Sequence, residues 1–302
     1  MSFFAKFCPI ITFEIVQFVF TYGKLHKRII KSAFQQGSKV DRNTVLTSIA
    51  LGFLWPVKKI NKDSNINATV QKQPSILELA DNLFENARYE ECLKLLSESK
   101  DKENVEIQWR ICRVLYNMAK DMKYEQTLQN ELILQAYEVI SKQVDSNQDH
   151  YAVHKWYALL LDAKSTQDGI KERIKQLENV KKHMDLAVTL NPSDATTLHM
   201  LGEWCFQITE MPWHQRKIAE VLFTSPPHSS YEDALEYFLR AESVQPRFYS
   251  INLLRLGYCY LKLQKEDQAK YYLKLAASYP AKSNDDHHAN KEATELLKRL
   301  LT

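Results

Sequence analysis

Glycine and proline are scarce, six and nine in 302 residues, roughly 2% and 3% against average usage of about 7% and 5%. Hairpin turns and phosphate-cradling loops are built from these residues, so an all-β sandwich and the glycine-rich nucleotide motifs are excluded. No C-x-x-C pair occurs among the five cysteines Cys8, Cys92, Cys112, Cys205 and Cys259. An odd, scattered set indicates neither a disulfide framework nor a zinc site and points to the inside of the cell. No charge of one sign dominates, since 40 Lys and Arg against 37 Asp and Glu leave +3. That is too little for nucleic-acid binding by bulk charge. What is present is apolar material: 45% hydrophobic residues, ample for one large domain or two ordinary ones.

The charge is uneven along the chain. Residues 1–60 hold nine basic and two acidic residues, leaving 31 and 35 for 61–302, so a leader of net +7 precedes a body of −4. From Phe7 to Tyr22 the leader is almost wholly apolar, but Pro9, Glu14 and Gln17 interrupt it, and Val45–Val57 is too short to span a bilayer. Between them Lys24, Lys27, Arg28 and Lys31 recur at helical spacing opposite Leu25, Ile29, Ile30 and Phe34, the pattern of a basic amphipathic helix. A mitochondrial presequence, a membrane-surface anchor through residues 1–57, and a tail folded back on the body all fit. Polar residues 61–74 read as a linker before a folded body over 75–302.

The body repeats. The tetratricopeptide pattern, W-x2-L-G-x2-Y then A-x3-F and Pro in 34 residues, fits best near the C-terminus: Leu253, Leu256, Gly257 and Tyr260, then Ala269, Leu273, Ala276 and Pro280. Gly257 and Ala269 are expected to be small because two antiparallel helices cross there. A second unit of standard length holds Ile76, Leu79, Ala80, Leu83, Cys92 and Leu96. Between them lie three distended units. In these the crossing residues pair Arg113 with Ala136, Ala158 with Val180, and Gly202 with Ala234; Arg113 is large where a small residue is expected. The predicted fold is all-α, a tetratricopeptide-like α-solenoid of about five helix pairs from Ser75 to Lys282, closed by a capping helix over Asp285–Leu301.

Longer stretches carry a family resemblance: HKWYA from His154, LNPSDATTLH from Leu190, GEWC from Gly202, EMPWHQRKIA from Glu210, and SPPHSSYEDALEYFLRAE from Ser225. With FYSINLLRLGYCYLKL from Phe248, these resemble the regulator of microtubule dynamics protein family. The resemblance implies a helical-repeat protein without enzymatic activity, associated with microtubules and the mitotic spindle in the cytoplasm. Some members are instead tied to mitochondria or bind phospholipid. The basic leader departs from any shared motif.

Candidate chemistry is sparse. His150 and His154 could share a helix face as metal ligands, but no carboxylate stands at matching spacing, and His154 occupies a packing position. No metal site, cofactor or catalytic constellation is expected. EMPWHQRKIA lies inside the insertion of the fourth unit. It reads as an extra helix packed by Trp213, or as a partner contact through Trp213 and Arg216. Read by repeat register, the inner surface carries Arg110, Lys155, His199 and Leu254 in successive units, beside Val114, Leu159, Phe206, Ile251 and Tyr258. Basic and apolar groups together suit an acidic peptide with apolar anchors, such as a tubulin tail, or an anionic phospholipid. A solvated concave face is the plainer alternative. The residues of a chaperone-type carboxylate clamp are absent: Leu77 and Asp81, Ile111, and Ala152 and Trp156 stand at its positions.

Overall fold

A computed structural model describes residues 74–300. The leader with Lys24, Lys27, Arg28 and Lys31, nearly all of the expected linker, and the last two residues fall outside the described residues. Twelve helices and no strand make up the described part. The first three pairs are α1 (Ile76–Glu85) with α2 (Tyr89–Ser97), α3 (Val105–Lys120) with α4 (Gln126–Ser141), and α5 (Tyr151–Gln167) with α6 (Ile170–Leu190). In the fourth, α7 (Ala195–Thr209) is followed by the inserted α8 (Trp213–Leu222) and then its partner α9 (Tyr231–Val244). The fifth is α10 (Ser250–Lys262) with α11 (Glu266–Ala277), and α12 (Asn284–Arg299) comes last.

Local chemistry sets these boundaries. Ser75, Ser230 and Ser283 each cap a helix reciprocally with an acid three residues on, Glu78, Asp233 and Asp286. Asn104 and Asp194 cap α3 and α7 through their side chains. Gly169, at φ 107°, forms the turn between α5 and α6, a backbone region costly for other residues. The distended units have two causes. In the second and third pairs the helices themselves are long, 16 to 21 residues against ten and nine in the first. In the fourth, a whole helix has been inserted.

The helix crossings are tight where small residues were expected. At Gly202 an added Cβ would stand 2.6 Å from the Phe238 ring, and at Gly257 2.6 Å from Leu273. Cys92 donates its thiol to the Ala80 carbonyl at 3.2 Å, and Cys112 to that of Ala136 at 3.3 Å. In the second unit, therefore, Cys112 takes the close contact, and Arg113 turns its guanidinium over the Phe84 ring, 4.0 Å from its centroid.

The expected packing of α8 by Trp213 is not what holds that helix. Trp213 is 76% exposed, whereas Ala219 is buried and Ile218, Leu222 and Phe223 pack on the core. Ala219 lies six positions beyond Trp213, which places them about 120° apart around the helix. Arg216 adds a second fastening. It donates to the carbonyls of Ile208, Thr209 and Met211 and so satisfies the end of α7.

The capping helix does more than cover an end. Ala289 and Ala293 are buried against the apolar cluster of Leu253, Leu254, Leu273 and Ala276. Asp286 is buried too, accepting from the Ser250 hydroxyl and the backbone N–H groups of Lys282 and Ser283. Burial alone would raise its pKa, but these donors outweigh that and hold it below the usual carboxylate range. Its neighbour Asp285 points elsewhere, toward α3. No described helix is long and apolar enough to cross a membrane.

Candidate functional site

Helices α3, α5, α6 and α7, with the approach to α10 and the start of α12, enclose a cleft of about 660 Å³. Its apolar surface comes from Trp156 and Leu159 on α5, Leu177, Val180 and Met184 on α6, and Met200 and Trp204 on α7. Trp204 is fixed there by its indole N–H, which donates to the Leu177 carbonyl at 3.1 Å. Tyr116 meets Trp156 edge-on with ring centroids 5.9 Å apart. Phe248 and Tyr249, just before α10, complete the aromatic wall.

Charged groups stand around this surface in matched pairs. Lys155 bonds Asp194 at 2.8 Å, and Arg173 bonds Asp162 at 2.9 Å while reaching Gln207. Lys120, at the end of α3, bonds Asp285 of α12 at 2.8 Å, and the same carboxylate accepts from the Tyr249 hydroxyl. This contact joins residues 165 apart in sequence and bridges the cleft. Burial would raise the Asp285 pKa, yet the Lys120 ammonium and the Tyr249 donor keep it low. Glu203 likewise stays ionised beside Arg255, 2.7 Å away, although burial opposes it. Each cation is thus already neutralised, so net charge gives little attraction for an incoming anion.

The residues picked by register are placed as follows. Lys155, His199 and Leu159 line the cleft. Arg110 does not: it is held by Asp81 at 2.8 Å and by Glu106 at 2.6 Å, with 11% of its side chain exposed. His199 is buried, with Nδ1 2.9 Å from the side-chain amide oxygen Oδ1 of Asn252, the partner to which it donates. Burial depresses its pKa, so it lines the cleft as a neutral ring, its one N–H engaged by Asn252, and not as a cation. Val114 and Leu254 are fully buried, and Tyr258 packs edge-on against Phe206, with ring centroids 5.4 Å apart, outside the cleft. Of the insertion residues, Arg216 is spent on α7, while Trp213 stands free in solvent.

Arg113, Lys120, Arg173 and Asp285 line the cleft without having been singled out by register. Arg113 had left one trace, a large side chain at a small-residue position. The other three stand at helix ends or on second helices, where register gives no inward direction.

His150 and His154 do not form a metal pair. His150 bonds Glu106, while His154 faces His183, Nδ1 to Nδ1 at 2.9 Å, and bonds the Gln148 carbonyl through Nε2 at 2.7 Å. A carbonyl only accepts, so His154 carries its proton on Nε2 and accepts from His183 Nδ1–H. Among the described residues no cluster of three or more His, Cys, Asp or Glu could hold a metal ion.

Comparison with known proteins gives these arrangements a context. A family model described as "Regulator of microtubule dynamics protein 1-3" matches residues 76–301. Regulator of microtubule dynamics protein 1 of Pongo abelii is 40% identical over 257 residues, covering 85% of this chain and 81% of the relative. Regulator of microtubule dynamics protein 3 of Mus musculus is 32% identical over 188 residues, 62% of this chain and 40% of that protein. Among solved structures, the thermophilic TPR protein TTC0263 of Thermus thermophilus covers 73% of this chain and 97% of its own at a TM-score of 0.50. At 15% identity that likeness shows the helical-repeat fold alone.

Proposed function

Because this chain belongs to the regulator of microtubule dynamics protein family, we propose that its repeat domain is a non-catalytic adaptor in microtubule regulation. Its cleft takes an acidic partner segment carrying an apolar anchor, with a tubulin tail the favoured candidate. The observation that carries this reading is the cleft itself. A cleft of about 660 Å³ with an apolar wall built by Trp156, Leu159, Leu177, Met184 and Trp204 is rimmed by Lys120, Lys155 and Arg173. The anchor supplies affinity by leaving water. The partner's carboxylates exchange with Asp285, Asp194 and Asp162 on those cations, which fixes orientation more than strength.

A second reading draws on the same apolar wall. An anionic phospholipid would place its acyl chain there and its head at Lys155 and Arg173, at a mitochondrial or other organelle membrane reached through the basic leader. Lys24, Lys27, Arg28 and Lys31 supply the leader's surface attraction.

Co-pelleting with microtubules, beside flotation with phosphatidic acid vesicles, separates the two. Both are run on the full chain with the four leader cations changed to Gln, so that leader charge does not contribute. Lys155→Glu with Arg173→Glu is expected to weaken the operative interaction at least tenfold, about 1.4 kcal/mol. Microtubule binding that survives the double reversal overturns the adaptor reading at this cleft, and unchanged flotation overturns the lipid reading.

A further inference from the structure

Ser225–Pro226 is the only Ser-Pro or Thr-Pro step in the sequence. It lies in residues 223–230, which join α8 to α9 without regular secondary structure. Ser225 is exposed, and its hydroxyl has no hydrogen-bond partner. Pro226 disfavours the helical region for the residue before it, and Pro226 and Pro227 have no N–H to be satisfied. The segment is therefore an extended, accessible acceptor that can enter another protein's cleft without breaking any hydrogen bond of the serine.

The surroundings suit the product as well as the acceptor. Ser225, Pro226 and His228 form one wall of a shallow depression of about 560 Å³, and Lys181 and Lys182 of α6 stand on the other. Glu178 and Asp185 also line it. Lys182 has no ion-pair partner among the described residues. Lys181 bonds Asp185 at 2.7 Å in a partly exposed i, i+4 pair, which is worth about 0.5 kcal/mol or less. A phosphate with nearly two negative charges and three acceptor oxygens competes well for both lysines.

We propose that Ser225 is the acceptor for a proline-directed protein kinase, and that the resulting phosphoserine is bound within the chain by Lys181 and Lys182. In the transfer, Ser225 Oγ forms a bond to the γ-phosphorus of ATP as the bond to the β,γ-bridging oxygen breaks. ADP leaves with that electron pair, and the hydroxyl proton passes to the kinase's catalytic carboxylate. The modified loop is then tied to α6, and with it the end of α8, the helix that presents the exposed Trp213. Phosphorylation is thereby linked to how firmly that surface is held.

The test uses the full chain with ATP and a cyclin-dependent or mitogen-activated kinase, followed by mass-spectrometric mapping. One phosphoryl group is expected on Ser225, and none there in Ser225→Ala, whose melting should match the parent. Absence of phosphate at Ser225 while a control peptide is modified overturns the acceptor assignment. Hydrogen exchange over residues 223–230 is then compared before and after modification. It should slow about threefold or more in the parent, as one or two partly exposed charge pairs allow, and remain unchanged in Lys181→Gln with Lys182→Gln. Slowing that persists in the double variant, or none in the parent, overturns the assignment of the lysines.

Discussion

Gly202 and Gly257 show how much of the repeat rests on single missing atoms. Each lies where a Cβ would come within 2.6 Å of a fully buried side chain, Phe238 or Leu273. A ring or a branched carbon at that distance must move, and the surrounding core is close-packed. Gly202→Ala is therefore expected to destabilise the domain by about 1 to 3 kcal/mol, lowering the melting temperature by roughly 2 to 4 °C per kcal/mol. Calorimetry of the variant checks this, and an unchanged melting curve would show that α7 and α9 are not in contact there. The cysteines tell a similar story at the same scale. Burial pushes the Cys92 thiol up to about 11 and Cys259 up to about 12, so both serve as small packing residues and not as nucleophiles.

Between elements, the α5–α6 pair is joined by two histidines that meet Nδ1 to Nδ1 at 2.9 Å. His183 is held down to about 4, first by burial and then by His154 and Lys182. His199, between α7 and α10, is also pushed down by burial. An unfolded chain binds these protons at about pH 6.5, whereas the folded one refuses them. Folding stability is thus full above pH 6.5 and declines as pH falls toward 4, by at most about 1.4 kcal/mol per pH unit for each histidine. Denaturant titrations between pH 7.5 and 5 isolate this loss, because the ionised carboxylates of the fold release their contribution only at lower pH. His183→Gln should flatten the slope; a parent whose stability does not fall across this range would remove the histidine pair as a pH-sensitive joint. The inserted α8 is the other lesson at this scale. Its amphipathic pattern and Pro212 mark it as a helix in the sequence, but Arg216 takes up the end of α7 and Trp213 faces water, which no local pattern encodes.

At the scale of the domain, the bridge from α12 to α3 decides how open the cleft is. Lys120 and Asp285 are each about a third or more exposed, so their pair is worth no more than about 1 kcal/mol. Its effect is geometric, since it holds the start of the last helix against the second pair. Asp285→Ala should leave the melting temperature nearly unchanged yet raise hydrogen exchange in the first turn of α12 and the last turn of α3. If exchange at both ends matches the parent, then the packing of Ala289 and Ala293, and not this bridge, sets the closure.

The sequence by itself determined the class, the number of helix pairs, the inserted helix and the terminal one. Those follow from periodicity, small residues at crossings and capping chemistry, all of which act within some 35 residues. Tertiary structure decided which charges face the cleft and in what state. Arg110 sits at an inward register position, but Asp81 of α1 and Glu106 hold it away, and His199 is driven toward its neutral form by burial among rings such as Phe238 and Tyr249, which outweighs the opposing hydrogen bond to Asn252. Asp285 reads as a dipole-favoured acid at a helix start, yet its partner Lys120 lies 165 residues away. Helix propensity and burial patterns are local or one-dimensional. Ion pairing and desolvation depend on distances across the assembled solenoid, which only the superhelical turn of the stacked pairs fixes.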